Sequence, residues 1–135
     1  AALENQLTVR NAPQIQAPVI LELANHPITD EADDMFRKNG KVVIPDILAN
    51  AGGVTAPREE YAFGLSAPHH QVEIKTFDAD ARKRIISVMQ EATAQVVHFA
   101  KKHNEDLRGG AWLKAMDRLA SSLKHKHRRW LNYHT

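Results

Sequence analysis

Cysteine is absent from this chain of 135 residues. That single absence removes disulfides, thiolate metal ligands and a thiol nucleophile together. Long hydrophobic runs are missing too: none approaches the roughly 20 apolar residues a membrane-spanning helix needs. The opening residues, AALENQLTVR, lack the basic-then-apolar order of a secretory signal. A cytoplasmic address is therefore expected, with the mitochondrial matrix also compatible, and no membrane partner. The sequence holds no nucleophile elbow, P-loop, G-x-G-x-x-G or H-E-x-x-H pattern. Its eight histidines do not make up for these gaps. His69 and His70 are adjacent and would point to opposite faces of a strand, and His125 and His127 are two apart, which separates them on a helix. No native metal site is expected.

What is present describes a globular protein: 43% hydrophobic and 25% charged residues with a formal net charge of +2. The length suits one compact unit with a real core. Basic residues concentrate in KHKHRR, residues 124–129. The plain reading is a solvated helix end that complements the helix dipole. Attraction of nucleic acid or acidic partners is the rival reading, and nucleic acid is not expected as a partner.

In the first half, strand and helix signals alternate. Residues 17–23 (APVILEL) form a short apolar run that suits a strand covered on both faces. The run stops at Ala24-Asn25-His26-Pro27. Thr29 can then cap a helix whose first turn carries Asp30 and Glu31, where carboxylates favour the positive end of the dipole. Ala32, Met35 and Phe36 supply the apolar stripe, and Gly40 provides a C-terminal cap. Residues 41–44 (KVVI) form the next buried strand, stopped by Pro45. Strand, helix and strand, so closely spaced, predict a right-handed parallel crossover.

Open parallel sheets place ligand sites just beyond the carboxyl ends of their strands, and Asn25 and Asn50 both fall there. An asparagine side chain carries an acceptor and a donor, suited to ribose hydroxyls or a carboxamide. Gly52 and Gly53 lack Cβ atoms, which allows close approach and leaves amides uncovered at the start of the following helix. The plainer alternative is a turn asparagine followed by a helix N-terminus of small residues.

The second half reads as helices only. Asp78 can cap a long segment in which Ile85, Met89, Ala92, Val96 and Phe99 form one apolar face. Such a stripe reads as core. After a turn at His103-Asn104-Glu105-Asp106, Leu107, Ala111, Ala115, Leu119 and Leu123 mark a second helix. The organisation expected is therefore residues 1–61, an exposed connection over 62–77 and a helical segment over 78–135.

Three blocks carry a resemblance: Asn11-Ala12 with ELANHPITDEAD (residues 22–33), PDILANAGGV (residues 45–54) and DLRGGAWLKAMDR (residues 106–118). Together they resemble the glutamate, leucine, phenylalanine and valine dehydrogenase family, glutamate dehydrogenases above all. The likeness is weakest over residues 62–80. It implies an α/β fold: a partial Rossmann-type parallel sheet, the last part of an NAD(P)-binding domain, followed by C-terminal helices. It also implies NAD or NADP as cofactor, an L-amino acid and its 2-oxo acid as substrate pair, glutamate foremost, and a homo-oligomer. By the same resemblance Asn25 lies near the nicotinamide ribose, Asn50 near the nicotinamide end and the bound substrate, and Val54 against the substrate side chain.

Two departures qualify the likeness. The lysines and aspartate of the family's acid-base chemistry, and its glycine-rich dinucleotide turn, have no counterpart in these residues, so residues 1–135 alone are expected to be inactive. Pro57 stands where glutamate enzymes usually carry a serine that helps bind the side-chain carboxylate, and proline offers neither hydroxyl nor amide hydrogen. The competing class is a non-enzymatic binding or interaction module derived from this fold, with a basic C-terminal tail.

Overall fold

The computed structural model describes residues 3–51, 53, 55, 56, 61 and 74–134, with side chains described over 79–124 in the last stretch. Two short strands, β1 (Val19–Leu21) and β2 (Val42–Ile44), pair in parallel with Val19 opposite Val42 and Leu21 opposite Ile44. Helix α1 (Asp30–Lys38) crosses between them. The local signals for that helix hold: Thr29 Oγ accepts from Ala32 N, Asp30, Glu31 and Asp33 occupy the first turn, and Arg37 and Lys38 occupy the last. Gly40 ends it at φ +71°, a left-handed conformation that favours glycine. The N-terminal segment runs beside residues 26–29, with Leu7 N donating to Pro27 O at 2.8 Å and Thr29 N to Leu7 O at 2.9 Å.

Alternation along the strands sorts their side chains onto two faces. Ile20 and Val43 face α1 and pack with Met35 against a core of Ala12, Ile28, Ala32 and Phe36. On the opposite face, Ile44 packs against Leu48, Val96 and Ala111. Val19, Leu21 and Val42 remain exposed. The expectation of strands covered on both faces is thus corrected. The apolar run stretches over residues 17–23, but the ladder is three residues long and the second face is covered only at the end of β2.

That cover comes from a helical hairpin, α3 (Ile74–His103) and α4 (Leu107–His134), which follows the single-turn helix α2 (Asp46–Ala49). Asn104, at φ +56°, makes the turn between the long helices, and Asp106 Oδ1 accepts from Gly109 N at 2.8 Å to cap α4. The apolar face expected on α3 is inward: Val96 is buried and Ile85, Met89, Ala92 and Phe99 are half-buried. Its start is different. The helix begins at Ile74, so Asp78 lies inside it and is not its cap, and residues 74–77 of the expected connection are helical. Residues 62–73 of that connection, with His69 and His70, lie outside the described residues. On α4 only the first part of the expected stripe is covered. Ala111 is buried and Leu107 half-buried, while Ala115, Leu119 and Leu123 are exposed. Leu119 and Leu123 are both more than half exposed, so their spacing marks a face left open among the described residues.

The crossing of α3 and α4 is close because Gly110 stands at it. A Cβ there would lie 2.6 Å from Val96 O and 2.8 Å from Ala100 N, both backbone atoms that cannot swing aside. Lys114 places its Nζ 5.2 Å from the centre of the Phe99 ring, a cation–π contact across the same crossing. No described helix is long and apolar enough to cross a membrane.

Candidate functional site

The two strands end side by side, so the segments leaving them emerge together. After β1 the chain passes through Glu22 to Asn25 and turns at His26, a non-glycine residue at φ +46°. After β2, Pro45 ends the ladder and α2 carries Asp46 to the edge of Asn50. Asn50 Nδ2 donates to Asn25 Oδ1 at 2.9 Å, joining two side chains 25 positions apart in sequence. That bond does not use the Nδ2 donors of Asn25 or the Oδ1 acceptor of Asn50.

The pair borders an open cleft of ≈ 380 Å³ lined by Asn25, Asp46, Ile47, Asn50, Ala51 and Trp112. Trp112, from the second turn of α4, is 60 % exposed. A large indole left in water beside two carboxamides offers a flat apolar surface for a planar ring. The sequence reading passed over Trp112; the signal was its place one residue after Ala111, inside the third block of the resemblance.

Asp46 organises both approaches to this pair. Its Oδ2 accepts from His26 N at 2.8 Å and its Oδ1 from Ile47 N at 2.7 Å. Its backbone carbonyl accepts from Asn50 N at 2.8 Å. Its own amide donates to Glu22 Oε2 at 2.8 Å. Glu22 is 1 % exposed, which for a carboxylate demands a counter-charge. Arg108 of α4 supplies one, its Nη2 donating to Glu22 Oε1 at 2.8 Å and its Nε to Asp33 Oδ2 at 3.0 Å. Its Nη1 lies 3.8 Å from Asp46 Oδ1. Burial by itself would lower the Arg108 pKa, but the hydrogen bonds to Glu22 and Asp33 outweigh it and hold the guanidinium well above its ordinary value. The sequence reading missed this clamp, because nothing local links residues 86 positions apart.

Of the residues expected in the site, Asn25 and Asn50 are brought together, whereas Val54, Gly52 and Pro57 lie outside the described residues. Gly53 corrects one expectation. Its amide is not uncovered but donates to Asn50 O at 2.9 Å, although a Cβ there would meet nothing within 4 Å. The cleft can therefore hold a carboxamide or a diol against a flat wall. Its one carboxylate, on Asp46, is committed to two backbone amides and the guanidinium, which leaves no proton-transfer group among the described lining residues.

Residues 1–126 match the family model for glutamate/leucine/phenylalanine/valine dehydrogenase, and the chain belongs to that family. It is 40% identical over 126 residues to the NADP-specific glutamate dehydrogenase of Saccharolobus shibatae, an alignment covering 92% of this chain and 28% of that protein. Among solved structures it is similar to glutamate dehydrogenase from Peptoniphilus asaccharolyticus, with a TM-score of 0.80 and 29% identity over 93% of this chain and 30% of the other. It is also similar to the hetero-hexameric glutamate dehydrogenase of Thermus thermophilus in its leucine-bound form, with a TM-score of 0.76 and 28% identity over 93% of this chain and 29% of the other. The chain thus spans less than a third of the length of each of these relatives.

Proposed function

We propose that these residues form the nicotinamide-side wall and the C-terminal helices of an NAD(P)-dependent amino-acid dehydrogenase. The reaction is oxidative deamination of L-glutamate to 2-oxoglutarate and ammonia. On this reading residues 1–61 are the last part of a Rossmann-type cofactor domain, 62–77 connect, 78–135 are the helical segment, and the working enzyme is a homo-oligomer. The observation that carries the proposal is the Asn25–Asn50 hydrogen bond at the ends of two parallel strands, beside a cleft walled by Trp112.

The donor set fits the nicotinamide half of the cofactor. Asn25 Nδ2 and Asn50 Oδ1 would meet a ribose hydroxyl and the carboxamide, and Trp112 would limit water at one side of the ring. When bound, the nicotinamide supplies the hydride acceptor. The task of these residues is orientation: the asparagines fix the ring and ribose, and Val54 meets the substrate side chain. Proton transfer falls to groups that are not among these lining residues. Glutamate is favoured by the names of the relatives, with Pro57 the position at which this chain departs from the usual carboxylate contact.

The test is a titration of isotopically labelled chain with NAD and NADP, followed by NMR. Resonance changes should gather at Asn25, Asn50 and Trp112 with an affinity on the order of millimolar, because the asparagines address only half of the dinucleotide. Absence of any change at these residues would sink the reading. A parallel assay of purified residues 1–135 with glutamate, leucine and phenylalanine should show no reduction of either cofactor. Turnover there would overturn the assignment of the acid-base groups to other residues.

A further inference from the structure

We infer that Arg108, which touches neither asparagine, is a positioning residue for the Asn25–Asn50 pair and acts on it through Glu22 and Asp46. The inference rests on the reading of that pair as the nicotinamide-side contact. It starts from the way both asparagines depend on one residue. The Asp46 carboxylate holds the amide of His26, next to Asn25, and the Asp46 carbonyl holds the amide of Asn50, each at 2.8 Å. Asp46 in turn is held by its own amide on Glu22 Oε2, and Glu22 by Arg108 on its other oxygen, again at 2.8 Å each. Four short hydrogen bonds thus run from α4 to the backbone amides of His26, beside Asn25, and of Asn50 itself, and the chain carries the rest of the way to the two carboxamides. The relay is tightest at Glu22, which is enclosed, and His26 sits in a left-handed turn that residues with a Cβ rarely adopt.

Without the guanidinium, a charged Glu22 is left with a single backbone donor in a site closed to water. It must then turn toward solvent or take up a proton. Turning outward releases the Asp46 amide, and protonation replaces its charged acceptor with a weaker neutral one, so either change loosens the contact at the start of α2 that leads to Asn50. Arg108 also grips Asp33 in the first turn of α1, so its side chain enters from a fixed direction. A guanidinium can bridge the two carboxylates in this way, whereas an ammonium cannot cover both with the same geometry.

The experiment records the side-chain amide NMR signals of Asn25 and Asn50 in the labelled chain and in Arg108→Gln, Glu22→Gln and Arg37→Gln, and titrates each with nicotinamide mononucleotide. Arg108→Gln should displace both asparagine signals in the folded protein and weaken mononucleotide binding by about tenfold, the low end of the loss seen when a partner that orients a metal ligand is removed. Glu22→Gln breaks the same relay without stranding a charge, so it covers the case in which Arg108→Gln fails to fold, and it should displace the same signals. Arg37→Gln removes exposed ion pairs to Asp34 and Asp106 and should leave the signals unmoved. Unshifted asparagine signals in folded Arg108→Gln or Glu22→Gln would overturn the inference, as would equal shifts in Arg37→Gln. A wild-type chain whose asparagines ignore the mononucleotide would end the functional reading instead, with the signal positions in the variants still deciding the relay.

Discussion

The two junctions of this molecule are built from different chemistry. Around Phe36, everything that matters is apolar and close in sequence: Ala12, Ile28 and Ala32 are buried with it, and Leu7, Ile15, Ile20, Met35 and Val43 pack around them. Where the helical hairpin meets the sheet, the buried apolar residues are Leu48, Val96 and Ala111. Ile44, Ala92 and Leu107 pack around them, and the contact also holds a glycine at the crossing of the two helices and a guanidinium between carboxylates. The first junction takes its stability from apolar area. At the second, small residues bring the elements close and charges set their orientation. Asn25 and Asn50 sit beside the second junction, where relative position counts for more than buried area.

Perturbing the first junction should have the largest effect. Phe36→Ala is expected to lower stability by about 4 kcal/mol, transfer and cavity terms together, read from urea unfolding, while leaving the asparagine signals of the remaining folded fraction in place. Arg108→Met comes next, at about 3 kcal/mol, because it strands Glu22 in a closed site. The guanidinium itself contributes no slope between about pH 7 and pH 10, because a raised folded-state pKa contributes stability that is present below the unfolded value and lost only as pH rises through the folded one, so a slope there would report Glu22 taking up a proton in the variant. Gly110→Ala should cost about 2 kcal/mol through overpacking against Val96 and Ala100. Combined with Phe36→Ala it should add without coupling if the two junctions are independent, and a coupling term in the double-mutant cycle would erase the distinction. Thr29→Ala removes the cap of α1 and should cost about 1 kcal/mol. The smallest effect is expected from Arg37→Gln, with no resolvable shift of the urea midpoint, since its ion pairs are exposed to solvent.

The first junction was largely legible in the sequence because its determinants are local. Thr29, the acidic first turn, the Ala32 and Phe36 stripe and Gly40 each act within a few residues. Asn25 and Asn50 could be placed together as well, because parallel pairing of adjacent strands brings their carboxyl ends to one edge. What could not be read were relations across long separations. Glu22 looked like one polar residue in an apolar run until Arg108 was beside it. Periodicity marked Leu119 and Leu123 as one face of α4 but carried no information about what, if anything, covers that face. The start of α3 was displaced to Asp78 because a capping residue is a strong local signal, and here the helix runs on through it from Ile74.

The long sequence separation between Glu22 and Arg108 also dictates an order in time. The contacts around Phe36 close short loops and need little chain entropy. The clamp closes across 86 positions, and only after α3 and α4 have formed and docked. If Arg108 aims the asparagines through Glu22 and Asp46, that aim is set only when the clamp closes and is lost when the clamp opens. Native-state hydrogen exchange would register this as a His26 amide, held by Asp46, that opens at lower free energy than the amides of α1.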